Sequence, residues 1–289
     1  MKINRIFSGL ATSFILFGSA LGTIAQDNSS LLWKISGNEM AQPSYLFGTI
    51  HMLPEDKYFF TDNMKSALSS TEVLALEANM DIPFAEQMKM ATDMLMPDGK
   101  SWTDYLSAEE YALVRSAFVD SLGIKEKKLE KYMKIRPIYV SGLILTDLLG
   151  NVKMYEQELT SMAKKDKKSV IGLETIQEQM AIVSNISIED QMDDLKKATA
   201  GMLRDYNELL DAYLAQNLIL LGELAAKEDG FDKMEAKLLT ERNDKWISSM
   251  QDQLKKNPTF FAVGAMHLVG EKGLISQLKA AGYTVEAVN

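Results

Sequence analysis

Cysteine is absent from this chain, and histidine occurs only twice, at His51 and His267. The first absence excludes thiolate metal sites, disulfide scaffolds and cysteine nucleophiles, and makes the chain indifferent to the redox state of its surroundings. The second confines imidazole chemistry to two positions. Proline is scarce, at 6 residues, and no Pro-rich linker, low-complexity tract or internal repeat divides the sequence. Nowhere do Lys and Arg cluster with aromatics as a nucleic-acid groove requires. Acidic residues outnumber basic ones by 40 to 31, for a formal charge of -9, so nucleic acid is excluded as a partner. The zincin helix HExxH, the P-loop, GxSxG and the dinucleotide fingerprint are missing too. What is present, 46% hydrophobic and 25% charged residues over 289 positions, is the balance of a folded globular protein with a sizeable core.

The N-terminus reads as a targeting segment. Lys2 and Arg5 precede an uncharged stretch from Leu10 to Leu21, which is followed by small residues at Thr23-Ile24-Ala25. About a dozen apolar residues interrupted by Ser and Gly fall short of the roughly 20 that span a bilayer. A signal peptide over residues 1–25, cleaved before Gln26, is therefore expected, with no stable membrane span in the mature form. Its removal takes away two positive charges and no negative ones, leaving a mature chain of -11 that works in a periplasm or outside the cell.

Apolar runs of strand length occur at Leu31 to Ser36, Tyr45 to Ile50, Val73 to Glu77, Val170 to Glu174, Phe260 to Gly264 and Tyr283 to Val288. The first two flank a turn-forming stretch and read as a hairpin. Gly270 to Ala281 reads as a helix closed by Gly282 as its C′ residue. The fold class that follows is α/β, with α+β as the variant. A central mixed β-sheet is built from both ends of the chain, and residues 26–289 form a single domain with a large helical insertion around 80–255. Within the insertion Ile188, Leu195, Met202 and Leu209 repeat every seven residues, and Met192, Thr199, Tyr206 and Tyr213 run four residues behind them. Such a seam packs against another helix, of this chain or of a second copy in a homodimer.

Both histidines end the same pattern, Gly48-Thr49-Ile50-His51 and Gly264-Ala265-Met266-His267. At this glycine content, two arbitrary histidines share a glycine three residues upstream about 1 time in 300. Each motif lies where an apolar strand runs out, and a glycine there admits close approach of backbone, metal or substrate. The runs at 73–77 and 170–174 likewise terminate in Glu77 and Glu174. If these strands are parallel neighbours, two imidazoles and two carboxylates share one sheet edge, where open α/β sheets place their sites. His51, His267, Glu77 and Glu174 are thus candidate ligands of a divalent metal; the bland alternative is satisfied core histidines and solvated glutamates. Met88, Met90, Met94 and Met96 invite a copper reading, but their spacing covers two faces of a helix and methionine is a common core filler. Arg242-Asn243, in a charged helical stretch, reads most simply as a solvated face.

Together these residues resemble a known family. Leu32-Trp33-Lys34-Ile35-Ser36, the Ser44 to His51 segment, the strand ending at Glu77, Gly172-Leu173-Glu174-Thr175, Glu241-Arg242-Asn243, and Val263 to Leu268 with Gly282-Tyr283 are similar to the TraB/GumN family. The resemblance covers essentially the whole mature chain. It departs at Met266, where the second motif usually carries glycine. The family includes the animal Tiki proteases and is related to erythromycin-esterase-like hydrolases. The resemblance implies a metal-dependent peptidase using His51, His267 and Glu77.

The function expected is that of an exported metal-dependent hydrolase, most simply a peptidase, acting on a peptide or small-molecule substrate with Mn, Co or Zn. Glu77 would be ligand or general base, and Arg242 would bind a substrate carboxylate or the developing oxyanion. The rivals are a binding protein that sequesters peptide or metal, and metal-free ester hydrolysis with one His as base. Export is checked by sequencing the N-terminus of protein from the native host. It should begin at or near Gln26, and intact Met1 in soluble cytoplasm would contradict the reading.

Overall fold

The computed structural model describes residues 30–79, 81–198, 202–227 and 236–289, so the targeting segment lies outside the described residues. Among the described residues eight strands are present: β1 (Leu32–Ser36), β2 (Ser44–Thr49), β3 (Leu53–Pro54), β4 (Val73–Ala78), β5 (Val152–Lys153), β6 (Ser169–Glu174), β7 (Thr259–Gly264) and β8 (Thr284–Ala287). Six form the central sheet in the order β6-β4-β7-β2-β1-β8, while β3 and β5 make a small separate ladder. Every strand-length apolar run in the sequence lies in the central sheet. The β1–β2 hairpin is antiparallel, and so is β1 with β8. β2, β7, β4 and β6 are mutually parallel, in the registers Thr49↔Gly264, Leu76↔Ala262 and Ala78↔Glu174. The mixed sheet is thus assembled from both ends of the chain, and the C-terminal ends of four parallel strands share one edge.

The central strands are apolar on both sides because helices cover both faces, as parallel pairing requires. All six residues of β4 are buried. On one face Phe47 packs against Phe60, Tyr155 and Phe260 at centroid separations of 5.9, 5.3 and 5.9 Å. Phe60 follows the β3 segment and precedes helix α1 (Asp62–Ser69), which Thr61 caps by accepting from Met64 N–H. At the strand starts, the buried Ser44 hydroxyl accepts from Thr259 N–H at 2.9 Å and ties β2 to β7. The chain closes with a helix at Leu274–Ala280, shorter than the expected 270–281 because Gly270 takes φ +82° and Gly273 caps the first turn. Gly282, at φ +91°, ends it as expected.

Between these strands run α2 (Phe84–Asp93), α3 (Ala108–Arg115), α4 (Glu126–Tyr132), α5 (Pro137–Leu149), α6 (Tyr155–Lys165), α7 (Ile176–Ser184), α8 (Ile188–Ala198), α9 (Met202–Leu214) and α10 (Leu218–Ala225). Part of this insertion has its own core, in which Trp102 stacks edge-on to Phe118 and is joined by Val140, Ile144, Ile188, Met192 and Leu195. The heptad seam therefore divides between two cores of this chain. Ile188, Met192 and Leu195 enter the helical core, whereas Tyr206, Leu209 and Tyr213 pack on the sheet. Thr199 lies outside the described residues.

Burial sets the expected cost of truncation. Phe47→Ala should destabilise the fold by about 3–5 kcal/mol, the usual range for a fully buried aromatic, whereas Phe84→Ala, on a side chain 75% exposed, should stay within about 0.5 kcal/mol. Urea denaturation of both variants tests this; equal effects would contradict the packing described.

Candidate active site at the parallel edge

β4 delivers Glu77 into the interior one residue before its end. Its Oε1 accepts from the Gly264 backbone N–H at 2.8 Å, and its Oε2 accepts from Arg242 Nη2 and from Gln179 Nε2 at 3.2 Å. Gly264 is closely packed here, because a Cβ at that position would stand 3.2 Å from Glu77 Oε1 and push the carboxylate aside by a few tenths of an ångström. Gly48 has a comparable reason: its Cβ would meet Ala265 Cα at 3.1 Å, in the turn that carries His267. The two motif glycines thus admit a carboxylate and a backbone turn.

His267 sits in the tight turn Ala265–Leu268 and is 3% exposed. Its tautomer follows from its neighbours. Asn243 Nδ2 donates to the carbonyls of His267 and Lys272, which leaves Asn243 Oδ1 to accept from His267 Nδ1–H at 2.7 Å. The neutral ring therefore carries its lone pair on Nε2, 3.1 Å from Arg242 Nη1 and 3.6 Å from Glu77 Oε1. Trp246 packs on the imidazole with centroids 4.4 Å apart.

Arg242, Asn243, Trp246 and Met250 form the buried face of the Glu241–Leu254 helix, and this corrects the reading of Arg242-Asn243 as a solvated face. The guanidinium has five N–H donors and uses every one within the chain. Nε binds Glu174, Nη2 binds Glu77 and Glu174, and Nη1 binds the Leu238 carbonyl and faces His267 Nε2. Its plane lies 4.5 Å over the Trp246 ring. No donor of Arg242 is left for a substrate carboxylate or an oxyanion. Glu174, with its side chain 7% exposed, is held by this arginine at 2.7 Å.

His51 stands apart. Its side chain is 69% exposed, and Nδ1 pairs with Glu156 Oε1 of α6 at 3.2 Å. That hydrogen bond raises the pKa to about 9, the Glu77 charge assisting and the Arg242 charge opposing. The expected ligands His267, Glu77 and Glu174 thus gather around Arg242, and His51 turns to Glu156. Among the described residues, no three His, Asp or Glu side chains are arranged to hold a metal ion. Sequence reasoning missed Asn243, Trp246, Gln179 and Glu156 as members of this network. Only the i, i+1, i+4 spacing of Arg242, Asn243 and Trp246 gave a signal that one helix face holds all three. An open cleft of about 370 Å³ borders the site at Glu174, lined also by Asn79, Ile82, Gly172, Thr175 and Gln177.

Burial alone would raise the pKa of Glu77, but His267, which is protonated by the pH at which this carboxyl titrates, together with Arg242 and the Gly264 N–H outweighs it and holds the carboxyl at about 2. Burial lowers His267 to about 4; Arg242 pushes the same way and Glu77 opposes. Both groups bind fewer protons folded than unfolded, so their contribution to stability is complete above the ordinary imidazole value near 6.5 and is lost as pH falls. The His267 part disappears between 6.5 and about 4, the Glu77 part between 4.5 and about 2. His51 has the opposite sign, its contribution being lost as pH rises from 6.5 toward 9, and solvent screening keeps it small. Unfolding free energy measured by urea should therefore climb from pH 4 to 6.5, and His267→Gln should flatten that climb. An unchanged slope in the variant would contradict the assignment.

The comparisons with known proteins meet this geometry. The TraB/PrgY/gumN family matches residues 31–287, which include every residue of the site. The chain is 23% identical to "Metalloprotease TIKI homolog" of Amphimedon queenslandica over 95% of its own length and 65% of that protein. It is 22% identical to "Metalloprotease TIKI1" of Xenopus tropicalis (89% of this chain, 61% of that one) and 21% to the Homo sapiens protein of the same name (89% and 62%). The chain thus spans under two thirds of these relatives. No solved structure matches it. With both histidine motifs, the strand-end glutamates and the Arg242-Asn243 pair inside the matched span, the chain belongs to the TraB/PrgY/gumN family.

Proposed function

We propose that this protein is an exported hydrolase of the peptidase class that works at the edge formed by β2, β7, β4 and β6. One observation carries the reading: His267 presents an unprotonated Nε2, fixed by Asn243, beside the ionised Glu77, both buried at the C-terminal ends of parallel strands. The relatives' name, metalloprotease, points the same way. The donor set is right in kind for a divalent ion such as Mn, Co or Zn, because a neutral imidazole whose far N–H is anchored and a carboxylate held ionised are what such an ion binds. His267 and Glu77 would hold it, and it would supply polarisation of a scissile carbonyl and an acidified water.

The protein's own groups have separable roles. Asn243 sets the tautomer of His267. Arg242 compensates two buried carboxylates and holds both in place, a positioning role in place of the substrate clamp expected from sequence. Glu77 is either a ligand or the base that takes a proton from water. His51, with Nδ1 on Glu156 and its pKa raised, carries a proton on Nε2 that it could pass to a leaving amine. The cleft beside Glu174 offers room for a few residues of extended peptide. Among the described residues no helix is long and apolar enough to cross a membrane, which accords with export behind residues 1–25.

A peptide-library cleavage assay on purified protein, with and without chelator, tests the proposal. Turnover that chelation abolishes and His267→Ala lowers by about 10²–10⁴-fold is expected. Glu77→Gln then separates the roles: a base leaves metal bound and removes turnover, whereas a ligand loses metal. Binding without any turnover would make the protein a sequestering one, and turnover indifferent to chelator would make it a metal-free hydrolase.

A further inference from the structure

The sequence assigns His267 and Glu77 to a divalent ion, yet in the folded chain a guanidinium already occupies both. With Nδ1–H committed to Asn243, His267 has a single lone pair, on Nε2, and Arg242 Nη1 stands 3.1 Å from it. A lone pair that accepts a hydrogen bond cannot at the same time ligate an ion at about 2.0–2.1 Å. Glu77 Oε2 is filled too, accepting from both Arg242 Nη2 and Gln179 Nε2, which leaves the carboxylate one lone pair, on Oε1 beside the Gly264 N–H. Two cations in one buried space would also repel each other strongly, since little solvent is present to screen them.

Arg242 nevertheless has somewhere to go. Three of its attachments involve neither His267 nor Glu77: Glu174 at 2.7 Å, the Leu238 carbonyl at 3.0 Å and the Trp246 face at 4.5 Å. Resting on the reading above, we propose that Arg242 is a resident cation that exchanges with a divalent ion. It fills the site when no metal is bound, and withdraws onto Glu174 and Leu238 when the ion takes Glu77 and His267. The two carboxylates then divide, Glu77 passing to the ion and Glu174 staying with the arginine.

The test measures binding of the metal ion alone. Co²⁺ is titrated by calorimetry and visible absorption into wild type and Arg242→Met/Glu174→Gln, a double variant that removes one charge of each sign and keeps Glu77 and His267. Co²⁺ should bind the double variant at least ten-fold more tightly, and adding His267→Ala should abolish the gain. In wild type, Zn²⁺ should change tryptophan fluorescence as it binds, because the guanidinium moves over Trp246, and Trp246→Phe should lose the signal. A folded double variant that binds Co²⁺ no more tightly overturns the exchange. So does Zn²⁺ binding with no Trp246 signal, or no Zn²⁺ binding by wild type at millimolar concentration. Should the double variant fail to fold, Zn²⁺ binding with no Trp246 signal still overturns the exchange. Peptide hydrolysis that persists through any of these failures leaves the hydrolase reading standing, so the two ideas fall separately.

Discussion

The site depends on one buried ion triad, Glu77–Arg242–Glu174. Its three members come from β4, from the Glu241–Leu254 helix and from β6, elements far apart in sequence, so a single guanidinium ties a helix to two neighbouring strand ends. Such a triad adds little net stability compared with well-packed apolar residues, because desolvating three charges offsets most of the Coulomb attraction. Removing its centre is a different matter. Two carboxylates would be left facing each other with side chains 8% and 7% exposed, and breaking a buried pair of this kind typically costs about 3–5 kcal/mol. The arrangement therefore specifies geometry more than it stabilises the fold.

That geometry is made possible by the parallel edge. Four strands in the same direction end together, and each contributes a polar group just where its backbone leaves the sheet. Gly264 matters through both its N–H, which Glu77 accepts, and its missing side chain, which leaves the carboxylate room. Gly48 lets the His267 turn lie close against β2. The pairing of glycine and histidine across 216 residues is thus not two copies of one device. One glycine seats the carboxylate, and the other seats the turn bearing the other motif's histidine.

The sheet was legible because strand-length apolar runs bounded by turn residues are a local signal, and all six runs of that kind are strands of the central sheet. Glu77, Glu174 and the two histidines were legible as strand-end residues for the same reason. The network around them was not. Glu241-Arg242-Asn243-Asp244-Lys245 reads as a hydrated surface, since charge and amide content dominate any local average, and only tertiary partners make Arg242 and Asn243 interior. Glu156 carries no mark distinguishing it from Glu158 two residues on. It meets His51 across 105 positions, through the docking of α6 against the sheet. The heptad seam shows the converse limit: its period was visible, but a period cannot say that one half enters a helical core and the other half packs on the sheet.

These facts bear on what the chemistry can draw from each residue. With Glu77, Glu174, His267 and the Leu238 carbonyl taking all five donors of Arg242, this arrangement leaves none for a substrate, and the other polar groups at this edge lie elsewhere. What remains there is the cleft beside Glu174, with Asn79, Thr175 and Gln177 among its walls, and the open Nε2 of His51. Amide and hydroxyl groups of this kind can hydrogen-bond to the backbone of an extended peptide, and Ile82, Leu173 and Ile176 add apolar surface to the same cleft. On the proposed reading, a buried, fixed centre next to an open cleft divides the work: the interior sets protonation and geometry, and the cleft sets what is allowed near it.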